Sequence, residues 1–315
     1  MRVSVVFGTR GTNMQLLERI FHCLKEQTFQ EFKVIMVVDN DNISKEFRTL
    51  EQKFSKDFPQ RFKVYTALNS EFIPHSKGRA SYVRNFGLQQ VDTALVQLFD
   101  DDNEFDEKYL EKTIKKYDEM KKLTGKEVVI CPTLQWRNTE IVQNQGFSRF
   151  LYWQSRPMMH RLGTKKFEEI QMFSGNGLLG SAQLFQSVGF DEEIAWIAED
   201  MDFTLSLHEK GAKLFVFSDL VVRHYERDKT KLEQAWIGSS EQACQKARNW
   251  FLFLRKHGKF WDKTTFWLIG LPGCLVWLSM KALRYGGKQR WKIIGGLFRG
   301  CREGWKRMES SQYYH

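Results

Sequence analysis

The stretch Leu95–Asn103, LVQLFDDDN, constrains the fold of this chain more than any other. Its first five residues are mostly apolar and read as a buried strand. They stop at three consecutive carboxylates, Asp100, Asp101 and Asp102. Neighbouring carboxylates repel one another, so ending a strand on them costs folding energy unless positive charge stands close. Arginine, lysine or a divalent metal would supply it, hard cations favouring oxygen ligands of this kind. A solvated acidic turn is the plain alternative, since Asp is frequent in turns. The rest of the chain has to decide between the two.

Upstream, Arg2–Phe7 (RVSVVF) is short, β-branched and bounded by Gly8-Thr9-Arg10-Gly11, the pattern of a buried strand running into a loop. Residues 13–27 then carry Leu16, Leu17, Ile20, Phe21 and Leu24 at helical spacing. Phe32–Val38 is a second apolar strand ending on Asp39-Asn40-Asp41-Asn42, followed by a helix over 44–58 and a third strand over 62–67. Strand–helix–strand alternation with apolar strands predicts a doubly wound, mainly parallel α/β sheet. Ligands of such sheets sit beyond the carboxyl ends of the strands, which is where Thr9, Asp39 and the acidic triplet all fall. The basic, glycine-punctuated segment Lys77–Leu88 enters a helix just before the LVQLF strand. Arg79 and Arg84 there would approach an anionic ligand, or else lie on an ordinary surface helix.

These motifs, in this order, resemble the inverting glycosyltransferase family 2 with its GT-A fold. The resemblance rests on the strand ending at Asp39, on Gly78 followed by Arg84-Asn85-x-Gly87, and on Asp100-x-Asp102. It continues through Phe173–Glu192, a glycine-rich acceptor-side segment closing on Gly-Phe-Asp-Glu. Ala198–Phe203, with its Glu-Asp pair heading a helix, and Val221–His224 complete it over about residues 1–228. The first loop departs from the usual Pro-Thr-Tyr type, reading Phe7-Gly8-Thr9-Arg10.

The resemblance implies transfer of a sugar from a nucleotide-diphosphate donor to a glycan or lipid-linked glycan acceptor, assisted by a divalent cation (Mn2+ or Mg2+). It implies direct metal ligation by Asp102, with Asp100 nearer the ribose and the metal's water shell. His224 would be a further ligand or a diphosphate contact. Asp39 would bind the nucleoside with Thr9 close by, and Arg84 would contact the diphosphate or hold Asp100. If the strand continues, alternation would send Asp101 to the opposite side, leaving it a structural role. An inverting displacement is a single step, so one carboxylate on the acceptor face suffices as general base. Asp200 is the candidate; Glu199 would orient the acceptor or raise the pKa of the base by like-charge repulsion. Acids enriching the first turn of a helix are the plain alternative for both. The insertion Cys131–Ile170 holds Trp136, Phe147, Phe150, Tyr152 and Trp153 with Arg149, Arg156, His160 and Arg161. That mixture suits an acceptor site or an ordinary packed subdomain.

Charge divides the chain near residue 243. Residues 244–315 hold fifteen of the 48 Lys and Arg against three acids (Asp262, Glu303, Glu309), leaving 33 bases and 35 acids in residues 1–243. The expected organisation is a catalytic domain over 1–243, with a donor half to about 105 and an acceptor half after it, and a basic helical extension over 244–315. Within the extension, Thr264–Met280 is an uncharged run of seventeen residues interrupted by Gly270-Leu271-Pro272-Gly273 and flanked by bases on both sides. It is short for a bilayer core of ~30 Å, and Pro-Gly should break it. Basic flanks on both sides disfavour a simple span. An interfacial or re-entrant helix pair on an anionic membrane surface is expected. Nucleic acid is disfavoured as a partner, because no recognition motif accompanies the charge.

Five cysteines, odd in number and without CxxC spacing, argue against a disulfide framework and a zinc site and favour a reducing compartment. The chain opens on its first strand rather than on a signal peptide. The expected location is therefore cytoplasmic, on the inner face of the cell membrane. Two other functions compete. A nucleotidyltransferase would carry a lysine-rich phosphate loop after the first strand, whereas Gly8–Gly11 has one arginine and no lysine. A non-catalytic nucleotide-sugar-binding or membrane scaffold protein of the same fold would lack donor hydrolysis.

Overall fold

The computed structural model describes residues 1–40, 42–67, 79–148, 158–194, 196–224 and 230–309. The strands are β1 (Val3–Thr9), β2 (Phe32–Val38), β3 (Phe62–Thr66), β4 (Leu95–Asp100), β5 (Asn103–Phe105) and β6 (Val128–Trp136). They continue with β7 (Val142–Asn144), β8 (Phe147–Ser148), β9 (Met158–Met159), β10 (Phe167–Ile170), β11 (Leu178–Ser181) and β12 (Lys213–His224). The helices are α1 (Met14–Lys25), α2 (Lys45–Asp57), α3 (Ala80–Gln89), α4 (Tyr109–Thr124), α5 (Ala182–Val188) and α6 (Glu199–Glu209). Those of the tail are α7 (Ser240–His257), α8 (Phe260–Thr265), α9 (Leu271–Tyr285) and α10 (Arg290–Glu309).

The chain forms two compact units, one of residues 1–148, 159–195 and 199–225, the other of 149–158, 196–198 and 226–315. In the first unit a ten-stranded sheet runs β10-β12-β6-β11-β4-β1-β2-β3, with β5 on β12 and β7 on β6. The pairs β1–β2, β1–β4, β2–β3 and β6–β12 are parallel. β11 is antiparallel to both β4 and β6, and β10 to β12. The expected mainly parallel sheet is therefore present, with its antiparallel pairings on the side of β4 away from β1. Its central strands are fully buried because helices cover both faces. On one pleat of β1, Phe7 meets Phe21 of α1 edge-on at 5.7 Å, while Phe99 of β4 packs on Tyr109 of α4 at 5.6 Å. On the other pleat Val6 lies against Gly87 of α3, where a side chain would collide with it.

Local signals set the helix ends. Asn13 accepts the Leu16 N–H and Ser44 the Phe47 N–H, capping α1 and α2. α1 buries Leu17, Ile20, Phe21 and Leu24, the apolar stripe legible in the sequence.

In the second unit α10 lies along α7, and glycines let the two backbones approach: a Cβ on Gly300 would run into the Cys244 carbonyl. The run expected to break at Pro272 does not. Phe260–Tyr285 is one continuous helical stretch in which Phe266–Gly270 forms a π-helical turn and Pro272 opens α9. Phe266, Cys274, Leu278 and Ala282 are buried along it, while Leu268, Ile269, Val276 and Met280 are exposed.

Candidate active site

Gly8 of β1 stands opposite Asp100 of β4, so Thr9 comes level with the acidic triplet. β4 ends at Asp100, and Asp101 and Asp102 turn into β5. Asn103 closes the turn. Its Oδ1 accepts the Asp100 N–H at 3.0 Å and its Nδ2 donates to Asp102 Oδ1 at 3.3 Å. Asn103 also pairs with His224 across β5 and β12, which brings His224 Nε2 to 3.1 Å from Asp102 Oδ2. Asp100, Asp102 and His224 can each present one ligand atom, all within 4.8 Å of one another.

Because the chain turns at 101, strand alternation does not reach Asp101. Its carboxylate accepts the Thr9 hydroxyl at 2.6 Å. Burial pushes the Asp101 carboxyl up to about 7; the Thr9 hydrogen bond opposes the shift, while Asp102 and Asp100 add to it. Sequence reasoning set Asp101 aside and missed this contact.

Arg84, on α3, joins the two acidic centres. Its Nη2 lies 2.9 Å from Asp100 Oδ1 and its Nη1 2.9 Å from Glu199 Oε1, with the guanidinium 5.3 Å above the Phe190 ring. Burial works against the guanidinium's charge, but Asp100 and Glu199 outweigh it and raise the pKa. Burial likewise disfavours ionised Asp100, and Arg84 more than offsets this, holding that carboxyl below its usual range. Asn176 takes the other Asp100 oxygen. Of the two contacts expected of Arg84, the one with Asp100 is formed.

Glu199 and Asp200 open α6. Asp200 Oδ1 accepts the Met201 N–H at 2.8 Å and Oδ2 the Ser174 hydroxyl at 3.2 Å. Burial, and then the adjacent Glu199, push the Asp200 carboxyl up to about 7, with Arg84 pulling the other way.

Asp39 donates its N–H to the Thr9 carbonyl at 2.8 Å, so these two residues are neighbours. Its carboxylate is held by Arg79, whose Nε lies 3.1 Å away. Arg79 is 1 % exposed and stacks over Tyr82 at 5.0 Å. It is therefore an internal ion-pair partner, whereas the sequence left it either approaching an anionic ligand or lying on an ordinary surface helix. The buried α3 N-terminus explains the difference. Lys77 and Gly78 lie outside the described residues, as do Arg149, Phe150, Tyr152, Trp153 and Arg156 of the insertion. His160 sits beside Ser148 and 3.3 Å from Glu168, and Trp136 packs near His224 at 5.9 Å.

The donor set suits a hard divalent cation: two carboxylates and an imidazole converge where one guanidinium faces several acids.

Residues 4–189, more than half of the chain, match the family model described as glycosyl transferase family 2. The chain belongs to glycosyl transferase family 2. Solved glycosyltransferases share its fold. The S. aureus TarS structure aligns over 100% of this chain and 56% of TarS, at 17% identity and a TM-score of 0.52. TarS residues 1-349 in complex with UDP-GlcNAc give 18% identity, a TM-score of 0.54, and coverage of 100% and 93%. GalNAc-T7 with UDP, GalNAc and Mn2+ gives 16% identity, a TM-score of 0.65, and coverage of 99% and 57%. The chain thus spans little more than half the length of that TarS chain and of GalNAc-T7. No curated protein matches it significantly in sequence. Thr9, Asp39 and Asp100–Asp102 stand at the carboxyl ends of the parallel strands β1, β2 and β4, the edge at which sheets of this class bind ligands.

Proposed function

We propose that this glycosyltransferase is inverting, moving a hexosyl or related sugar from a nucleotide diphosphate to a glycan or lipid-linked glycan at the cytosolic membrane face, with Asp200 as general base. One observation carries the reading: Arg84 bridges Asp100 on the strand-end cluster to Glu199, whose neighbour Asp200 has its carboxyl pushed up to about 7. A carboxylate of that basicity takes a hydroxyl proton far better than an ordinary one near neutral pH. Asp102 and His224, with Asp100 behind them, would hold Mn2+ or Mg2+, which neutralises charge developing on the leaving diphosphate. Glu199, fixed by Arg84, keeps Asp200 basic, and the Ser174 hydroxyl orients it. Asp39 and Thr9, neighbours at the ends of β2 and β1, suit the nucleoside. The TarS and GalNAc-T7 complexes make uridine nucleotides the first donors to test.

For the tail, the exposed face of Phe260–Tyr285 and the bases around it (Lys259, Lys263, Lys281, Arg284, Lys288) support attachment to an anionic bilayer. Donor hydrolysis and transfer are measured with UDP-sugars and Mn2+ against a chelator control; turnover only with metal is expected. Binding without any turnover, on every acceptor tried, would favour the scaffold reading. Co-sedimentation with phosphatidylserine vesicles but not with neutral ones is expected of the full chain, and failure to sediment with either removes the membrane assignment.

A further inference from the structure

Asn176 sits between the two acidic centres. In the loop Phe173–Gly177 the Ser174 hydroxyl donates to Asp200, and two residues on Asn176 Nδ2 donates to Asp100 Oδ2. The loop has little freedom. Gly175 and Gly177 hold φ of +131° and +81°, and a Cβ on them would meet the Leu134 and Pro132 side chains. The Gly177 N–H donates to the Leu98 carbonyl at 2.8 Å, and the Gly177 carbonyl accepts the Tyr109 hydroxyl at 2.8 Å. Asn176 itself is 5 % exposed.

Asp100, ionised beside Arg84, can only accept, so the amide must turn its nitrogen toward it. That assigns the other amide atom. Asn176 Oδ1 is buried and has no hydrogen-bond partner among the described residues. Buried acceptors of this kind are ordinarily satisfied, so one beside a reaction centre marks a place where a ligand brings a donor. The ionised diphosphate has no hydrogen to give. The sugar, whose reacting carbon must lie between the leaving group and the base, has several.

We propose that Asn176 Oδ1 accepts a hydrogen bond from a hydroxyl or amide N–H of the transferred sugar, making Asn176 a residue that selects the donor. This rests on the donor reading above. A site built to hydrogen-bond a substrate group discriminates strongly against the analogue lacking it, because its own buried atom is then left without a partner. The test is calorimetric titration of the full chain with Mn2+ and either UDP or a panel of UDP-hexoses and UDP-N-acetylhexosamines, in the wild type and in Asn176→Ala. In the variant the best-bound nucleotide sugar should weaken about tenfold, as for one lost hydrogen bond, while UDP stays within about twofold. On the wild type alone, a deoxy-sugar series should contain one analogue that loses a similar factor, which keeps the proposal open to test if Asn176→Ala does not fold. That same analogue should bind the variant and the wild type alike. Equal weakening of UDP and nucleotide sugar would mean that Asn176 only steadies Asp100 or the metal, and no weakening of either would mean that a buried water satisfies the amide. Both results overturn the proposal. A wild type that binds neither UDP nor any sugar nucleotide overturns the donor reading as well, which separates the two failures.

Discussion

Replacing Asp200 by Asn should stabilise the ligand-free protein above pH 7 while destroying its activity. The Asp200 carboxyl rises from 3.8 to about 7, with burial the first cause and Glu199 the second. The folded state then holds a proton that the unfolded chain has already released between pH ~4 and ~7, so stability falls as pH rises through that window and the cost is complete above it. A shift of about three units corresponds to ~4 kcal/mol at most. Asp200 is only partly buried, and screening brings a realistic figure to about 2 kcal/mol. Asn cannot ionise, so it removes this cost. It also loses one acceptor oxygen, for the Met201 N–H or the Ser174 hydroxyl, worth about 1 kcal/mol. Asp200→Asn should therefore melt roughly 2–4 °C above the wild type at pH 8 and no higher at pH 5. Transfer should fall on the order of 10²–10⁴-fold, while wild-type kcat/KM should rise with pH through about 7. A variant equally destabilised at both pH values would refute the strained-carboxylate argument. Full turnover by the variant would remove the base assignment independently.

Other perturbations separate metal, ion-pair and packing roles. Asp102→Asn and His224→Ala should each weaken Mn2+ binding by about tenfold or more in calorimetry, since each removes a ligand from the converging set; unchanged affinity in both would take the metal elsewhere. Arg79→Met leaves Asp39 charged beside a buried apolar side chain and should cost about 3–5 kcal/mol in urea unfolding, most of it recovered in the double variant with Asp39→Asn. In the tail, Gly300→Ala pushes a methyl into the Cys244 carbonyl and should destabilise by about 1–3 kcal/mol. Gly295→Ala, where a Cβ meets nothing within 4 Å, should stabilise by about 0.5–1 kcal/mol on the same helix.

What could be read from the sequence was local. Apolar runs such as Phe32–Val38 and the stripe of α1 carry their own periodicity, so the sheet and its ligand-facing edge follow from them. Asp100, Asp102 and His224 converge as their motif order suggested, because β5 turns straight back onto the end of β12. What escaped were the choices among distant partners. Arg79 and Arg84 lie five residues apart on one basic segment and look alike, yet one is sealed against Asp39 and the other reaches Glu199, far along the chain. Neither pairing leaves a trace in spacing. Asp101 escaped for a different reason: alternation places it only if the strand continues, and β4 stops at Asp100.

The tail shows how a sound rule fails, and the failure changes the membrane argument. Proline deletes an N–H and crowds the carbonyl four residues back, which for Pro272 is that of Leu268. Leu268 lies inside the π-helical turn, where the Leu271 N–H reaches back five residues to the Phe266 carbonyl. The wider turn makes room, and Phe260–Tyr285 continues as 26 residues, about 39 Å at 1.5 Å per residue, enough to cross a bilayer. Length alone would then favour a span. The neighbouring helix argues otherwise: α10 packs along α9 and carries Lys292, Arg299, Arg302, Glu303, Lys306 and Arg307. Drawing α9 through the hydrocarbon would draw these charges in with it, at several kcal/mol apiece. Lying in the interface buries Leu268, Ile269, Val276 and Met280 while leaving the bases among lipid headgroups. For the membrane attachment proposed above, lying along the surface is therefore favoured over a span on energetic grounds, for a reason that Pro272 does not supply.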